Sequence, residues 1–477
     1  MRDLDLCYMP ATEALKRFKS KKLSPVELMK AVIARAESVE PAINAFTFKY
    51  YDEALKKAKQ AEARWAKGNP KGPLDGLPVV IKDESYIKGY PTSNASLILK
   101  DFVPETTSPT NERLLDAGII FHARTATPEF SCAGFTHSKM WGVTRNPWNT
   151  QYTPGGSSGG SGASLAAGST TLATGSDIGG SIRIPASQCG VVGFKPPYGR
   201  NPDDPPFNLD FYNHTGPIGR SVADVALLQN VMSGPHPRDI ATVKPKLTLP
   251  AKFKDIKGWR IGYSLDLGMF EVDETVQANT RAALKVFKSL GAKVEEVDLK
   301  WDEDCFEAGL KYLEHLFGAL MALQAKTHRK VMNDYALWFA DQCEKSSTLD
   351  FLGSLATAGR MYATLGPLLE KYDVLICPTV ALPDIPADLD YQKSPPVRIN
   401  GRKVHSALGW AMTTCFNTMS RCPVLSVPSG QMPSGMPTGI QIVGPTFEDE
   451  KVFQAASAYE AALGGWYGDS ASRPAVP

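Results

Sequence analysis

Long apolar runs are missing from this chain. None approaches the roughly 18 residues that a membrane-spanning helix needs, and the opening Met1-Arg2-Asp3-Leu4-Asp5-Leu6-Cys7 lacks the apolar centre of a secretory leader. Neither a transmembrane helix nor a signal peptide is therefore predicted, and a cytoplasmic location is the default expectation. A surplus of one charge is missing as well: 52 Lys+Arg stand against 50 Asp+Glu, with no run of five or more like charges. Nothing here marks a nucleic-acid or membrane-binding face, so small molecules are the expected partners. Cysteine is sparse, and Cys7, Cys132, Cys189, Cys305, Cys343, Cys377, Cys415 and Cys422 form no C-x-x-C pair. The seven histidines are dispersed, with no H-E-x-x-H and no close pair. A zinc hydrolase thus has no ligand set, and neither a metal nor another cofactor is expected.

Glycine and serine, by contrast, are concentrated. Gly155-Gly156-Ser157-Ser158-Gly159-Gly160-Ser161-Gly162 is followed by Gly175-Ser176-Asp177-Ile178-Gly179-Gly180-Ser181-Ile182-Arg183-Ile184-Pro185, so two Gly-Gly-Ser turns set Ser157 and Ser181 24 residues apart. Glycine accepts positive φ and lets an N–H group approach another atom closely, and two such turns suggest a site built from serines and backbone donors. A phosphate-cradling loop would need Gly-Lys-Ser/Thr, but no lysine occurs between Gly155 and Arg183. Gly156-Ser157-Ser158-Gly159-Gly160 fits G-x-S-x-G, which would make Ser158 a nucleophile on a strand-to-helix elbow. The segment before it, Asn146 to Pro154, reads as loop where that elbow requires an apolar strand. A flexible linker is disfavoured too, because the small helix-forming residues Ala163 to Ala167 and the β-prone Thr170 to Thr174 follow directly.

Elsewhere the pattern alternates. Ser24-Pro25-Val26-Glu27 reads as a capping box opening a helix that Pro41 stops, Ile43 to Tyr50 as a strand, and Asp52 to Lys67 as a helix. Gly76 to Ile81 is an apolar run short enough for a buried strand, with Lys82 at its end, where the lysine either snorkels, pairs with Asp83 or does chemistry. Ile119 to Ala123, Trp259 to Tyr263, a helix from Val272 to Leu290 and a strand from Lys293 to Val297 continue the alternation. An α/β layered fold follows. The stretch 301–371 is nearly all helical in pattern and reads as an insertion that covers the site or makes an oligomer contact, such as a homodimer. Strands at Asp373 to Val380, Val424 to Pro428 and Gly439 to Gly444 precede a final helix from Asp449 to Leu463. No linker or repeat divides residues 1–477, which are read as one domain.

Gly-Gly-Ser-Ser-Gly-Gly followed at this spacing by Asp-Ile-Gly-Gly-Ser-Ile-Arg resembles the signature of the amidase signature family. Gly76 to Asp83 is similar to the family's lysine motif, and Arg145-Asn146-Pro147-Trp148, Cys189 to Pro196, Asp373 to Thr379 and Gly439 to Gly444 are similar to further family segments, so the resemblance covers most of the chain. It implies a three-layer α/β/α fold around a central mixed β-sheet. It also implies Ser181 as nucleophile, Ser157, after a cis peptide, as bridging serine, and Lys82 as base. Ile178, Gly179, Gly180 and Ser181 would supply oxyanion-hole N–H groups, while Asp177 and Arg183 would brace their loop. Glu129, Phe130 and Ser131 match a segment that borders the acyl pocket. Thr418 and Arg421 depart from the family pattern, and Arg421 would reach either a polar substrate group or a scaffold acid.

The residue types suit acyl transfer. A serine hydroxyl needs a base, and His214 is the only histidine within 40 residues after Ser181. A lysine serves only when neutral, which costs about 4–5 kcal/mol at pH 7 from a reference pKa of ~10.4, and burial behind the apolar run before Lys82 would supply most of that. The leading expectation is an amidase that hydrolyses a small carboxamide through a seryl acyl-enzyme. An ester, carbamate or cyclic amide could form the same acyl-enzyme, and the amidase subunit of a tRNA-dependent amidotransferase is the alternative of another class.

Overall fold

The computed structural model describes residues 3–391, 393–468 and 472–476; Met1 and Arg2 of the N-terminal stretch read above lie outside them. Eleven strands form one sheet: β1 Phe46–Lys49, β2 Pro78–Lys82, β3 Ile120–Thr125, β4 Leu172–Ser176, β5 Val192–Lys195, β6 Thr215–Gly219, β7 Arg260–Tyr263, β8 Lys293–Glu296, β9 Val374–Pro378, β10 Val424–Gln431 and β11 Pro437–Val443. Their spatial order is β1-β3-β2-β4-β6-β5-β10-β11-β9-β7-β8. The pairs β2–β3, β2–β4, β7–β8 and β7–β9 are parallel and the rest antiparallel, so the sheet is mixed.

Helices cover both faces, giving three α/β/α layers, and the alternation of side chains along each strand shows why. On β9, β10 and β11 the residues Val374, Ile376, Leu425, Val427, Ile440 and Ile442 pack with Phe287 of helix Glu274–Ser289 and Phe453 and Tyr459 of helix Asp449–Leu463. Their neighbours Leu375, Cys377, Val424 and Val443 point the other way, into a core shared with the helices of 303–371. No helix among the described residues is long and apolar enough to cross a membrane.

The capping box forms as read: Ser24 Oγ accepts from Glu27 N at 3.1 Å, and Glu27 Oε2 accepts from Ser24 N at 2.8 Å. One element differs from the sequence reading and one strand has no counterpart in it. The first helix runs Pro25–Ile43, through Pro41, because a proline in the last turn removes one hydrogen bond only, and the end is closed three residues later by Asn44 in the left-handed conformation, φ 49°. Strand β6, Thr-Gly-Pro-Ile-Gly, has the composition of a turn, yet it lies between β4 and β5, pairing Pro217 with Thr174 and Ile218 with both Ala173 and Gly193. Its neighbours supply the ladder that its own propensity does not.

Candidate active site

The parallel strands β2 and β4 end side by side on Lys82 and Ser176, at their carboxyl ends, where α/β sheets present ligands. Lys82 is only 1% exposed. Its Nζ donates to Ser157 Oγ at 2.7 Å and to Ser176 Oγ at 2.8 Å, and lies 3.1 Å from Glu84 Oε2. Burial is the largest influence on this amine and pushes it below the ordinary lysine range, against the opposing pull of Glu84 and then Asp177.

The first glycine turn brings Ser157 to this lysine. Helix Gly159–Ala166 starts immediately after Ser158, and the Gly156–Ser157 peptide before it is cis. A Cβ on Gly156 would fall 2.3 Å from Phe135 O, so the approach of these two backbones requires glycine. Ser158 N donates to Ser181 O at 3.2 Å and ties the first turn to the second. The Ser158 side chain is fully buried and reaches only Ser176 O, at 3.4 Å, so it is Ser157 that meets the lysine.

Ser181 is 7% exposed, and its hydroxyl bonds to no group of the described chain. It lines a cavity of about 30 Å³ with Ser131, Ile178, Gly179, Leu313, Phe317, Phe339 and Leu408. Of the four N–H groups read as oxyanion donors, that of Gly180 is taken, donating to Asp177 Oδ1 at 2.9 Å; those of Ile178, Gly179 and Ser181 have no acceptor among the described residues. Gly180 adopts φ 126°, and a Cβ there would collide with Thr413 Oγ1 at 1.9 Å.

The loop is held from beneath by charge. Arg183 Nε and Nη2 donate to the two Asp177 oxygens at 2.9 and 2.8 Å, and Nη1 and Nη2 reach Gln441 Oε1 at 2.6 Å and Asn417 Oδ1 at 2.7 Å. Burial alone would raise the Asp177 carboxyl, but Arg183 and then Asn417 and His214 more than offset it and hold it well below the usual carboxylate range. The Gly179 carbonyl accepts from Thr413 Oγ1 at 2.6 Å and Thr414 Oγ1 at 3.1 Å.

Both ring nitrogens of His214 face backbone carbonyls, Asp177 O and Ser420 O, at 3.0 Å, and burial followed by Lys195 lowers its pKa to about 3. Neutral, the ring donates to one of these carbonyls and turns its other nitrogen to the second, so neither nitrogen is directed at Ser181. His214→Gln, whose amide supplies at least as many donors for those carbonyls as the neutral ring, is expected to retain turnover within about tenfold and to change stability by no more than about 1–3 kcal/mol, read as near-normal kcat beside a small change in Tm. A second buried lysine, Lys195, is lowered to about 7 by burial and then by Arg183, but its Nζ meets only the carbonyls of Cys422, Ser420 and Pro196, at 3.0, 3.4 and 3.5 Å. Among the described lysines only Lys82 touches serine hydroxyls.

The residues read as acyl pocket separate. Ser131 lines the cavity, and its hydroxyl bonds Glu84 Oε2 at 2.5 Å. Phe130, at φ 52°, packs against the adjoining core. Glu129 is fully buried and turned away: it accepts from Ser96 Oγ at 2.6 Å and from Asn333 N and Nδ2 at 2.5 and 2.7 Å, anchoring the helical segment to this loop. Arg421 is exposed, with its guanidinium 5.9 Å from the Phe447 ring centroid, and is not part of the cavity wall.

Two residues at the site were not foreseen, Glu84 and Ser176, which touch Lys82. The helices of 303–371 cover the cavity, one of the two roles expected of the 301–371 segment, and supply Leu313, Phe317 and Phe339 to its apolar wall, with Leu408 from outside it. Glu84 stands two residues past Lys82 in the turn that follows β2, its N–H donating to Lys82 O at 2.8 Å, so its nearness in sequence was the one signal for it. Asp83 bonds Ser93 Oγ at 2.5 Å and lies 3.9 Å from Arg124 Nε. The wall residues carried no such signal. Leu313 and Phe317 are the ends of a π-helical turn, Leu313–Phe317, between helices Glu303–Tyr312 and Gly318–His328, and this irregularity sets both on the cavity.

A model of the amidase family matches residues 27–453. An acylamidase of Rhodococcus erythropolis is 33% identical over 468 residues, which are 97% of this chain and 97% of the relative. A glutamyl-tRNA(Gln) amidotransferase subunit from Agathobacter rectalis is 32% identical over 489 residues, 96% of this chain and 94% of the relative. Among solved structures, a bacterial aryl acylamidase of the amidase signature enzymes is similar with a TM-score of 0.89 at 32% identity, covering 95% of this chain and 96% of that one.

Proposed function

The chain belongs to the amidase signature family, and from that premise we propose that it hydrolyses a small carboxamide with a short apolar acyl group, through an ester formed on Ser181. The observation that carries this reading is the 2.7 Å contact of a buried lysine, Lys82, with Ser157 beneath a cavity lined by Ser181. Neutral Lys82 draws a proton from Ser181 through the Ser157 hydroxyl as Ser181 Oγ attacks the substrate carbonyl. The oxyanion develops toward the N–H groups of Ile178, Gly179 and Ser181, which are held ready by the Asp177–Arg183 brace. Lysinium returns the proton to the nitrogen as the C–N bond breaks. Water, activated along the same relay, then hydrolyses the ester and regenerates Ser181.

The cavity supports the substrate class. Its volume of about 30 Å³ holds little more than a water or two, its walls are Leu313, Phe317, Phe339 and Leu408, and none of the described residues lining it is charged. A glutamine substrate would require partners for its amino and carboxylate groups, so the wall favours a stand-alone amidase over an amidotransferase component. The test is kcat/KM across an anilide series from acetyl to hexanoyl. We expect a decline with chain length that Phe317→Ala reverses by about tenfold for the longer acyl groups, the scale of a methylene or two in an apolar pocket. A preference for charged acyl groups in the parent enzyme would refute this class.

A further inference from the structure

Around Lys82 Nζ stand three acceptors, Ser157 Oγ, Ser176 Oγ and Glu84 Oε2, at 2.7, 2.8 and 3.1 Å. Three acceptors match the three N–H donors of an ammonium, whereas a neutral amine has only two donors and a lone pair. Glu84 is itself fixed. The oxygen that faces Lys82 also bonds Ser131 Oγ at 2.5 Å, and Ser131 in turn meets Asn94 Oδ1 at 3.0 Å and Thr127 Oγ1 at 2.9 Å. Phe130, Ser131, Asn94 and Ala95 all adopt left-handed conformations, with φ of 52°, 58°, 43° and 52°. Strained backbone of this kind, in two segments that meet at Ser131 beside the carboxylate, persists where the surroundings demand it.

We propose that Glu84 is a positioning residue that stabilises the ammonium form of Lys82, so that the proton taken from Ser181 is held for the departing amine. The proposal rests on Lys82 being the base. Its role parallels the carboxylate of a Ser-His-Asp triad, which stabilises the protonated base and does not itself take the proton. In the acylation step the Ser181 O–H bond breaks, a proton passes through Ser157, and a third N–H bond forms on Nζ beside Glu84. In collapse of the tetrahedral adduct that bond breaks again, and the proton leaves on the amine. Among the other charged groups around Lys82, Asp177 acts after Glu84 and is paired with Arg183, and Asp83 lies 3.9 Å from Arg124 Nε. Asp203, near Glu84, is raised to about 7 by burial and adds little negative charge below that pH.

The experiment is the pH dependence of kcat and KM for an anilide in wild type, Glu84→Gln and Glu84→Asp. Alongside it, the Lys82 side chain is titrated by NMR of lysine-labelled protein, its signal assigned by its loss in Lys82→Met. Loss of an opposite charge at this distance moves a pKa by about 1–3 units, so Glu84→Gln is expected to lower both the Lys82 midpoint and the acidic limb of kcat/KM by at least about one pH unit. Its plateau kcat for the anilide should fall about tenfold or more, with KM little changed, while Glu84→Asp keeps the midpoint near that of wild type. A merely structural role would depress activity uniformly and leave the midpoint in place. An unmoved Lys82 midpoint in Glu84→Gln overturns the assignment of Glu84 and leaves the base untouched. Full activity in Lys82→Met, by contrast, overturns the base itself.

Discussion

Ser181→Ala abolishes anilide hydrolysis while leaving the fold intact: that is the expected result, and it carries the largest effect. Removing the nucleophile of a serine hydrolase costs on the order of 10⁶ in kcat, the residual rate coming from oxyanion stabilisation and binding. The fold should not notice, because the Ser181 hydroxyl has no partner in the described chain and Cβ is retained, so the change in stability should stay within about 0.5 kcal/mol. The check is mass spectrometry after an activated acyl or phosphonate reagent. The wild-type adduct should lie on the peptide carrying Ser181 and be absent from the variant. An adduct on Ser158 would overturn the assignment, although Ser158 is fully buried and aimed at Ser176 O.

Lys82→Arg should be inactive at every accessible pH, a loss of about 10²–10⁴ or more from general base catalysis alone. Arginine keeps the charge and cannot be neutralised, so the relay from Ser157 has no acceptor. In the parent enzyme the sign runs the other way. Burial lowers the lysine pKa, the neutral amine is populated above that lowered value, and kcat/KM should rise with pH through a midpoint below the ordinary lysine range. Lys82→Ala adds a contrast between substrates. An amine must be protonated as it leaves and an activated alkoxide need not be, so anilides should lose more than esters with good leaving groups. Equal losses on both would argue that Lys82 only holds the loop.

Much of the architecture was legible in the sequence. The apolar run ending on Lys82 reads as a strand bounded by loop, and β2 is Pro78–Lys82; the last helix falls on Asp449–Leu463 as read. Those readings succeed because each rests on a local cause: a capping hydroxyl, an apolar period, a glycine. Where a neighbour outweighs the local preference they fail, as at Pro41, carried inside a helix end, or find nothing to read, as at Thr215–Gly219, a glycine-proline strand held by β4 and β5. Glu129 and Arg421 fail as pocket residues for another reason. Both follow a motif in sequence, but a side chain's direction depends on backbone that the motif does not specify. The reversed φ at Phe130 and Ser131 turns Glu129 inward to Asn333, and Arg421 finds the face of Phe447.

What the sequence determined by itself is the inventory of the site: two glycine turns, two serines, one lysine at the end of an apolar strand, and a family motif from which their proposed roles are taken. The assembly was decided only in three dimensions. Lys82 and Ser157 are 75 residues apart, and it is the parallel pairing of β2 with β4 that brings Ser176 to the same amine. Which backbone donors remain open was also settled there, because Asp177 takes the Gly180 N–H and leaves the others. So was the wall of the cavity, since Leu313, Phe317 and Phe339 come from a helical segment whose own periodicity buries them without saying against what. Burial completes the difference. A lysine is an ordinary cation in any sequence, and it becomes a base only where the packed chain removes the water that would keep it protonated.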